Sequence, residues 1–171
     1  MSDCLASGLE SAIPLLLREI HTLADVGKIT IAFPDEGAFK RFNTMFDSFE
    51  TITCTKIRDG KKRIVRVKEG DAEGRHIIIV DDLVQTGGTL KNCAKALLER
   101  GAIGISAYVT HAVFPQDSWK KFVDSEVKFT NFWITDSIPH SKEIAKNPPF
   151  KMLSLCDSIS DALLGFDLLQ A

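Results

Sequence analysis

Short apolar runs alternate with amphipathic segments along most of this chain. Runs such as Ile77-Ile78-Ile79-Val80 are β-branched and too short for helices, whereas Pro14 followed by an apolar stripe marks a helix start. The pattern predicts strands over 28–33, 51–57, 76–82, 104–113, 129–135 and 150–155. It predicts helices from Pro14 onward and over 36–46, 89–100, 117–123 and 158–168. Such alternation is typical of an α/β fold, a mostly parallel sheet flanked by helices.

One segment departs from this alternation, because 51–68 has the pattern of two strands joined by a turn. Asp59-Gly60 is a strong signal for a tight hairpin turn. The second strand sets apolar positions against basic ones: Ile64, Val65 and Val67 against Arg63, Arg66 and Lys68. We therefore expect a projecting β-hairpin with one charged face and one packed face, the latter on this chain or on another subunit.

Length and charge narrow the class of protein. The 171 residues suit one domain, and 21 basic against 23 acidic residues give a formal charge of −2. This balance argues against broad attraction to nucleic acid or to a membrane surface. The four cysteines are scattered without metal-ligand spacing, and the chain has no apolar run of membrane length. We expect reduced thiols and a cytoplasmic protein.

The run 77–89 joins a buried strand, two adjacent carboxylates and a loop of small residues. Ligands bind beyond the carboxyl ends of such strands. Asp81 and Asp82 follow at that end, where we expect them to be solvated and to bind ribose hydroxyls directly or through magnesium. The alternative is an ordinary strand-to-helix turn in which the two carboxylates act as caps.

The loop 85–89 has the composition of a phosphate cradle. Gly87 and Gly88 let the backbone curl, so that amide hydrogens and the hydroxyls of Thr86 and Thr89 can converge on a phosphate at the next helix. The loop is not a Walker A motif, because it lacks the Gly-Lys-Ser/Thr ending. The sequence therefore predicts a site for a phosphorylated sugar.

The run 77–89 resembles the phosphoribosyl diphosphate (PRPP) motif of phosphoribosyltransferases and PRPP synthetases. Phe-Pro-Asp-Glu-Gly-Ala-Phe-Lys-Arg at 33–41 is similar to the Pro-Asp-x-Gly segment of the synthetases, and Cys-Thr-Lys-Ile-Arg at 54–58 to their catalytic Lys-x-Arg. Segments 107–115 and 132–137 resemble later family blocks. The blocks occur in family order and most resemble plant-type, class II ribose-phosphate diphosphokinases.

This resemblance implies an enzyme that transfers diphosphate from ATP to ribose 5-phosphate and releases PRPP and AMP. It implies that 1–171 is a single phosphoribosyltransferase-like domain, the second of two in the family. The first domain would carry the adenine-contacting surface and a metal-binding Asp-x-His segment. The hairpin corresponds to a flag that packs between subunits, so the resemblance also implies a homo-oligomer.

The resemblance also assigns roles to individual residues. It makes Lys56 and Arg58 catalytic cations and Asp35 a ligand of Mg²⁺, with a cap of the next helix as the alternative role of Asp35. The sugar phosphate of ribose 5-phosphate or PRPP falls to Gln85, Thr86, Gly87, Gly88 and Thr89, and the ribose hydroxyls to Asp81 and Asp82. Gln85 stands where several relatives have an acid, and an amide cannot act as a carboxylate base.

Two other functions stay open at this point: a non-catalytic PRPP-binding or regulatory subunit, and a nucleobase phosphoribosyltransferase, for which no segment covers a base. Basic residues from Lys61 onward are as well explained by a solvated hairpin edge. Lys40 and Arg41 are predicted to be structural or subunit contacts. His111 is predicted to be packed and hydrogen-bonded in an apolar setting.

Overall fold

The computed structural model describes residues 10–59 and 62–168, with 58, 59, 62, 63 and 165–168 described by their backbone alone. The strands are β1 (Ile29–Phe33), β2 (Glu50–Asp59), β3 (Lys62–Glu69), β4 (His76–Val84), β5 (Gly104–Ala112), β6 (Phe132–Thr135) and β7 (Phe150–Leu153). The helices are α1 (Ile13–His21), α2 (Glu36–Phe42), α3 (Gly88–Glu99), α4 (Lys120–Val123), α5 (Ser141–Ile144) and α6 (Cys156–Leu168).

The described strands form one seven-stranded sheet in the order β3-β2-β1-β4-β5-β6-β7. Every neighbouring pair is parallel except β2 and β3, which are antiparallel. Because β1 lies between β2 and β4, the carboxyl ends of these three strands meet at one edge of the sheet. The α/β prediction is confirmed.

Both faces of the sheet are buried, which explains the continuous apolar runs. Ile77 and Ile79 pack in one core with the apolar side of α3, whereas Ile78 and Val80 pack in a second core with α1 and α2. All four side chains are fully buried. Consecutive strand residues point to opposite faces, so each four-residue run supplies both cores.

The hairpin prediction is confirmed by the pairing of β2 with β3, in which Lys56 lies opposite Val65 and Ile57 opposite Ile64. Its turn falls partly outside the described residues. Val65 is buried and β3 packs against α3, so the packed face lies on this chain's own helix. On β2, the Sγ of Cys54 lies 3.5 Å from the Sγ of Cys93 of α3, and both thiols are buried.

Several element boundaries differ from the sequence prediction because tertiary contacts decide them. β4 continues to Val84 rather than 82, since β5 pairs alongside it as far as Ala112. The helix predicted over 36–46 is α2 followed by a 3-10 turn, and the one predicted over 117–123 is a 3-10 turn followed by α4. β6 begins at Phe132, and the short α5 was not predicted. No described helix combines the length and apolar character needed to cross a membrane.

Candidate functional site

A cleft of about 440 Å³ opens where the carboxyl ends of β1, β2 and β4 meet. It is lined by Asp35, Lys56 and the continuous stretch 81–90. The lining contains every site residue predicted from the sequence except Arg58, whose side chain lies outside the described part of the chain. Residues from three separate segments thus share one cleft, although their roles stay predictions.

A larger cleft of about 1010 Å³ lies elsewhere, lined by residues that include Glu50, Glu69 and Arg75. None of the predicted site residues lines it. The larger cleft is therefore not the one that contains the predicted site residues. We assign the site by chemistry, because the smaller cleft holds the carboxylates, the cation and the phosphate-type loop together.

The loop between β4 and α3 leaves a helix N-terminus open toward the cleft. Gly87 is the N-cap of α3 in the left-handed conformation, φ 76° and ψ 2°, and no described side chain caps this helix. The Gly87 carbonyl accepts the first intrahelical bond from the Lys91 amide at 3.0 Å. The first amides of an α-helix have no intrahelical acceptor, so those of α3 can bind an anion.

Gly87 is required for two reasons: its left-handed backbone conformation and the lack of space for a side chain. A Cβ at this position would lie 2.3 Å from the ring of Phe122, which is almost fully buried. Gly88 differs, because a Cβ there would meet nothing nearer than the Thr86 hydroxyl at 4.0 Å. A substitution that probes this loop without disturbing the core therefore belongs at Gly88.

We expect Gly87→Ala to lower the free energy of unfolding by about 2 kcal/mol, from left-handed strain and the collision with Phe122. Urea unfolding of both proteins measures the difference. Gly27→Ala is the matched control, since a Cβ at Gly27 meets nothing within 4 Å. Equal stability of Gly87→Ala and the wild type would show that the ring is not held against the loop.

Asp81 is only partly exposed, and to that extent the sequence prediction of a solvated carboxylate is wrong. Both carboxylates lie within β4 rather than beyond its end. Asp81 is largely buried, and its Oδ1 accepts a hydrogen bond from the Asp82 amide at 2.9 Å. Burial, followed by repulsion from Asp35, raises the pKa of Asp81 to about 6, against the attraction of Lys56 and Arg41.

Asp82 is more exposed and forms an ion pair with Arg41 of α2. This ion pair is a structural contact of the kind predicted for Arg41, but the sequence did not indicate that its partner would be Asp82. Two adjacent basic residues on one short helix give no signal of which one turns toward the cleft. Lys40 acts instead on the Glu36 side: the hydrogen bond and charge of Lys68 lower the pKa of Glu36 most, and the charge of Lys40 adds a smaller effect.

Asp35 caps α2, which was one of the two roles considered from the sequence, and it also forms an ion pair with Lys56, whereas its role as a ligand of Mg²⁺ stays a prediction. Its Oδ1 accepts a hydrogen bond from the Ala38 amide at 2.9 Å and so caps α2, while its Oδ2 contacts Lys56 Nζ at 2.5 Å. Burial alone would raise the pKa of Asp35, but the bonds from Lys56 and from the Ala38 amide outweigh it and lower the pKa. One carboxylate oxygen therefore faces the cleft.

The remaining charged predictions have mixed outcomes. Lys68 pairs with Glu36 at 2.6 Å on the surface, and exposed pairs of this kind stabilise proteins only slightly. His111 is exposed rather than packed, although its Nδ1 does lie 3.0 Å from the Ser137 hydroxyl. The strand end at His111 opens to solvent, which its mostly apolar sequence surroundings did not indicate.

Similarity to known proteins shows the family of this chain. Residues 43–165 match the family described as phosphoribosyl synthetase-associated domain. The chain is 55% identical over 160 residues to ribose-phosphate pyrophosphokinase 4 of Oryza sativa subsp. japonica, covering 90% of this chain and 49% of that protein. It is 53% identical over 167 residues to the chloroplastic ribose-phosphate pyrophosphokinase 3 of Arabidopsis thaliana, covering 94% and 41%.

A solved structure supports the fold. Phosphoribosylpyrophosphate synthetase from Mycobacterium smegmatis matches with a TM-score of 0.70 at 22% identity, over 88% of this chain and 49% of that one. The chain thus spans about half the length of the curated relatives it matches. Together, the family match and the identities above 50% show that this chain belongs to the phosphoribosyl synthetase-associated domain family, with the plant ribose-phosphate pyrophosphokinases as relatives.

Proposed function

We propose that the chain is the ribose-5-phosphate-binding half of a ribose-phosphate diphosphokinase, which transfers diphosphate from ATP to ribose 5-phosphate and releases PRPP and AMP. The observation that carries the proposal is the 440 Å³ cleft, where the phosphate-type loop, the carboxylates and Lys56 meet. The names of the plant relatives state this activity for those proteins. Their identity to the chain favours it over a regulatory module or a nucleobase phosphoribosyltransferase.

In this proposal the sugar phosphate binds at the open N-terminus of α3. Amides of the 85–89 loop and the hydroxyls of Thr86 and Thr89 donate to its oxygens, and the helix dipole adds to the attraction. Asp81 and Asp82 then lie at the side of the same cleft, where carboxylate oxygens accept hydrogen bonds from ribose hydroxyls. The sugar is held at both ends by groups that meet in one place.

Lys56 and Arg58 supply positive charge to the transferring diphosphoryl group. Phosphoryl transfer depends on alignment and on charge stabilisation far more than on covalent help from the protein. Lys56 Nζ already lies in the cleft, since it contacts Asp35. Arg58 lies in the same strand as Lys56, two residues further along β2.

Magnesium suits the donor atoms of this cleft. Mg²⁺ prefers carboxylate oxygens, and Asp35, Asp81 and Asp82 supply them. The described residues contain no group of three side chains arranged as a complete metal site. Mg²⁺ commonly uses one or two carboxylates together with water and substrate phosphates. Asp35 would hold the ion, whose charge would offset that of the ATP phosphates.

The other partners follow from the same proposal. ATP is the co-substrate, and a homo-oligomer is expected through the β2–β3 hairpin, where Ile57 is 39% exposed. We expect neither a nucleic-acid nor a membrane partner, given the near-neutral charge. A cytoplasmic location stays our prediction, although relatives bear chloroplastic and mitochondrial names.

We expect the isolated chain to bind ribose 5-phosphate, and Gly88→Ala to weaken that binding about tenfold by blocking the close approach of the phosphate to the backbone. The substitution should leave the protein folded, because the added methyl has space and alanine favours the helix. Calorimetric titration with ribose 5-phosphate and Mg²⁺ measures the affinity.

Gly27→Ala again serves as the control, since it lies outside this cleft and its Cβ also has space. It should bind ribose 5-phosphate as the wild type does. No binding by the wild type, or equal binding by Gly88→Ala, would contradict the placement of the phosphate at this loop.

A further inference from the structure

The segment after β5, residues 113–122, lies against the proposed phosphate loop and is hydrogen-bonded to it. The Ser118 hydroxyl donates to the carbonyl oxygen of Gln85 at 3.1 Å. The amides of Val113 and Phe114 both donate to the carbonyl of Val84, at 3.0 and 3.4 Å. Ser118 is 6% exposed and the hydrogen bond is partly buried, so its loss leaves a loop carbonyl without this donor. The last residue of β4 and the first of the loop are thus fixed by the same segment.

The same segment also packs against the loop through the side chain of Phe122. The Phe122 ring occupies the space beside Gly87 where a Cβ would stand. Edge-to-face contacts tie this ring to Phe114 and Phe132, with ring centroids 5.6 and 5.2 Å apart. Close-packed aromatic cores resist displacement. The loop therefore rests on a rigid part of the core.

The backbone of this segment adopts conformations that few residues tolerate. Phe114, Gln116 and Asp117 have φ angles of 37°, 53° and 55°, in the left-handed region, and none of them is glycine. Such residues persist only where the surrounding structure holds them. Phe114 is held by its burial at 3% exposure. The resulting turn is what brings Ser118 back to Gln85.

We propose that Ser118 is a positioning residue, which together with Phe122 keeps the 85–88 loop in the shape that receives the sugar phosphate. The inference rests on the proposed function. Neither residue lines the cleft, so each acts through the loop and not by touching the ligand. Holding the loop in place before the ligand arrives lowers the ordering cost of binding.

The test compares Ser118→Ala with the wild type by calorimetric titration with ribose 5-phosphate and Mg²⁺, and by hydrogen exchange without ligand of the Lys91 and Val113 amides, which donate to the carbonyls of Gly87 and Val84. We expect about tenfold weaker binding and about tenfold faster exchange, the usual effect of losing one buried hydrogen bond. Ser118→Thr, which keeps the hydroxyl, should restore both values to within about threefold.

Ser106→Ala is the matched control for a purely structural effect. The Ser106 hydroxyl is also fully buried and hydrogen-bonded, to His76 Nε2 at 2.9 Å and the Asn131 amide at 3.2 Å, but it lies outside the segment. We expect Ser106→Ala to lower the melting temperature while leaving sugar affinity and the exchange of the Lys91 and Val113 amides unchanged.

Unchanged loop exchange in Ser118→Ala would overturn the inference, as would an equal loss of affinity in Ser106→Ala. Failure of the proposed function has a different signature, because the wild type itself would then not bind ribose 5-phosphate. In that case exchange alone decides: faster exchange of the Lys91 and Val113 amides in Ser118→Ala, but not in Ser106→Ala, still shows that Ser118 holds the loop.

Discussion

Asp81→Asn is expected to raise the free energy of unfolding of the metal-free chain by about 3 kcal/mol at pH 8. The cause is the burial of a carboxylate in β4 beside Asp35, which raises the pKa of Asp81 from 3.8 to about 6. Asparagine keeps a side-chain oxygen that can accept the hydrogen bond from the Asp82 amide. It removes the charge that the cleft accommodates poorly.

The pH dependence of this difference follows from the direction of the shift. The folded protein binds the Asp81 proton more tightly than the unfolded chain, so ionisation destabilises the fold. Below about pH 4 the carboxyl is protonated in both states, and the two proteins should have similar stability. The advantage of Asp81→Asn should grow between pH 4 and 6 and stay constant above that range. Urea unfolding in EDTA across this range measures it.

Asp82→Asn is the control, because Asp82 is the adjacent carboxylate but is more exposed and paired with Arg41. Its substitution should change stability by less than about 1 kcal/mol. The double variant should stay folded and bind ribose 5-phosphate more weakly. A loss of stability in Asp81→Asn at pH 8 would show instead that the charged carboxylate supports the turn between β4 and α3.

The sequence predicts most of the fold because burial on both faces leaves a local signature. Four apolar residues such as 77–80 supply both cores at once, and helix spacing marks α1 and α3. What it predicts poorly is where elements end. The extension of β4 to Val84 depends on β5 pairing beside it, and no residue near 84 carries that information. Contacts distant in sequence decide such boundaries.

The site shows the same division between local and distant information. The 85–89 loop could be predicted, because its glycines and threonines act within one turn of chain. Two contacts of the site join elements far apart in sequence: the ion pair between Arg41 and Asp82 and the hydrogen bond from Ser118 to Gln85. The local sequence around each residue does not indicate its partner. The raised pKa of Asp81 was missed for the same reason, because after burial its main cause is the charge of Asp35, which is distant in sequence.

Lys56→Ala is expected to lower the turnover of a two-domain enzyme about 10² to 10³-fold, with little change in sugar affinity. Lys56 Nζ lies in the cleft, where it contacts Asp35. A charge that acts on the transferring group lowers the rate more than ground-state binding. The enzyme would join the amino-terminal half of the rice relative to this chain. AMP release coupled to PRPP detection gives the rate.

Lys68→Ala on the same hairpin is the matched control, because Lys68 is exposed, pairs with Glu36 and does not line the cleft. The Lys68→Ala enzyme should turn over at the normal rate.

This chain without an amino-terminal half should make little or no PRPP, since loop cations accelerate transfer only when ATP is already aligned with the sugar. Robust turnover by this chain alone would place the nucleotide site within it. Unchanged turnover in Lys56→Ala would remove that lysine from the mechanism, because a cation on the reacting phosphates cannot be lost without raising the barrier.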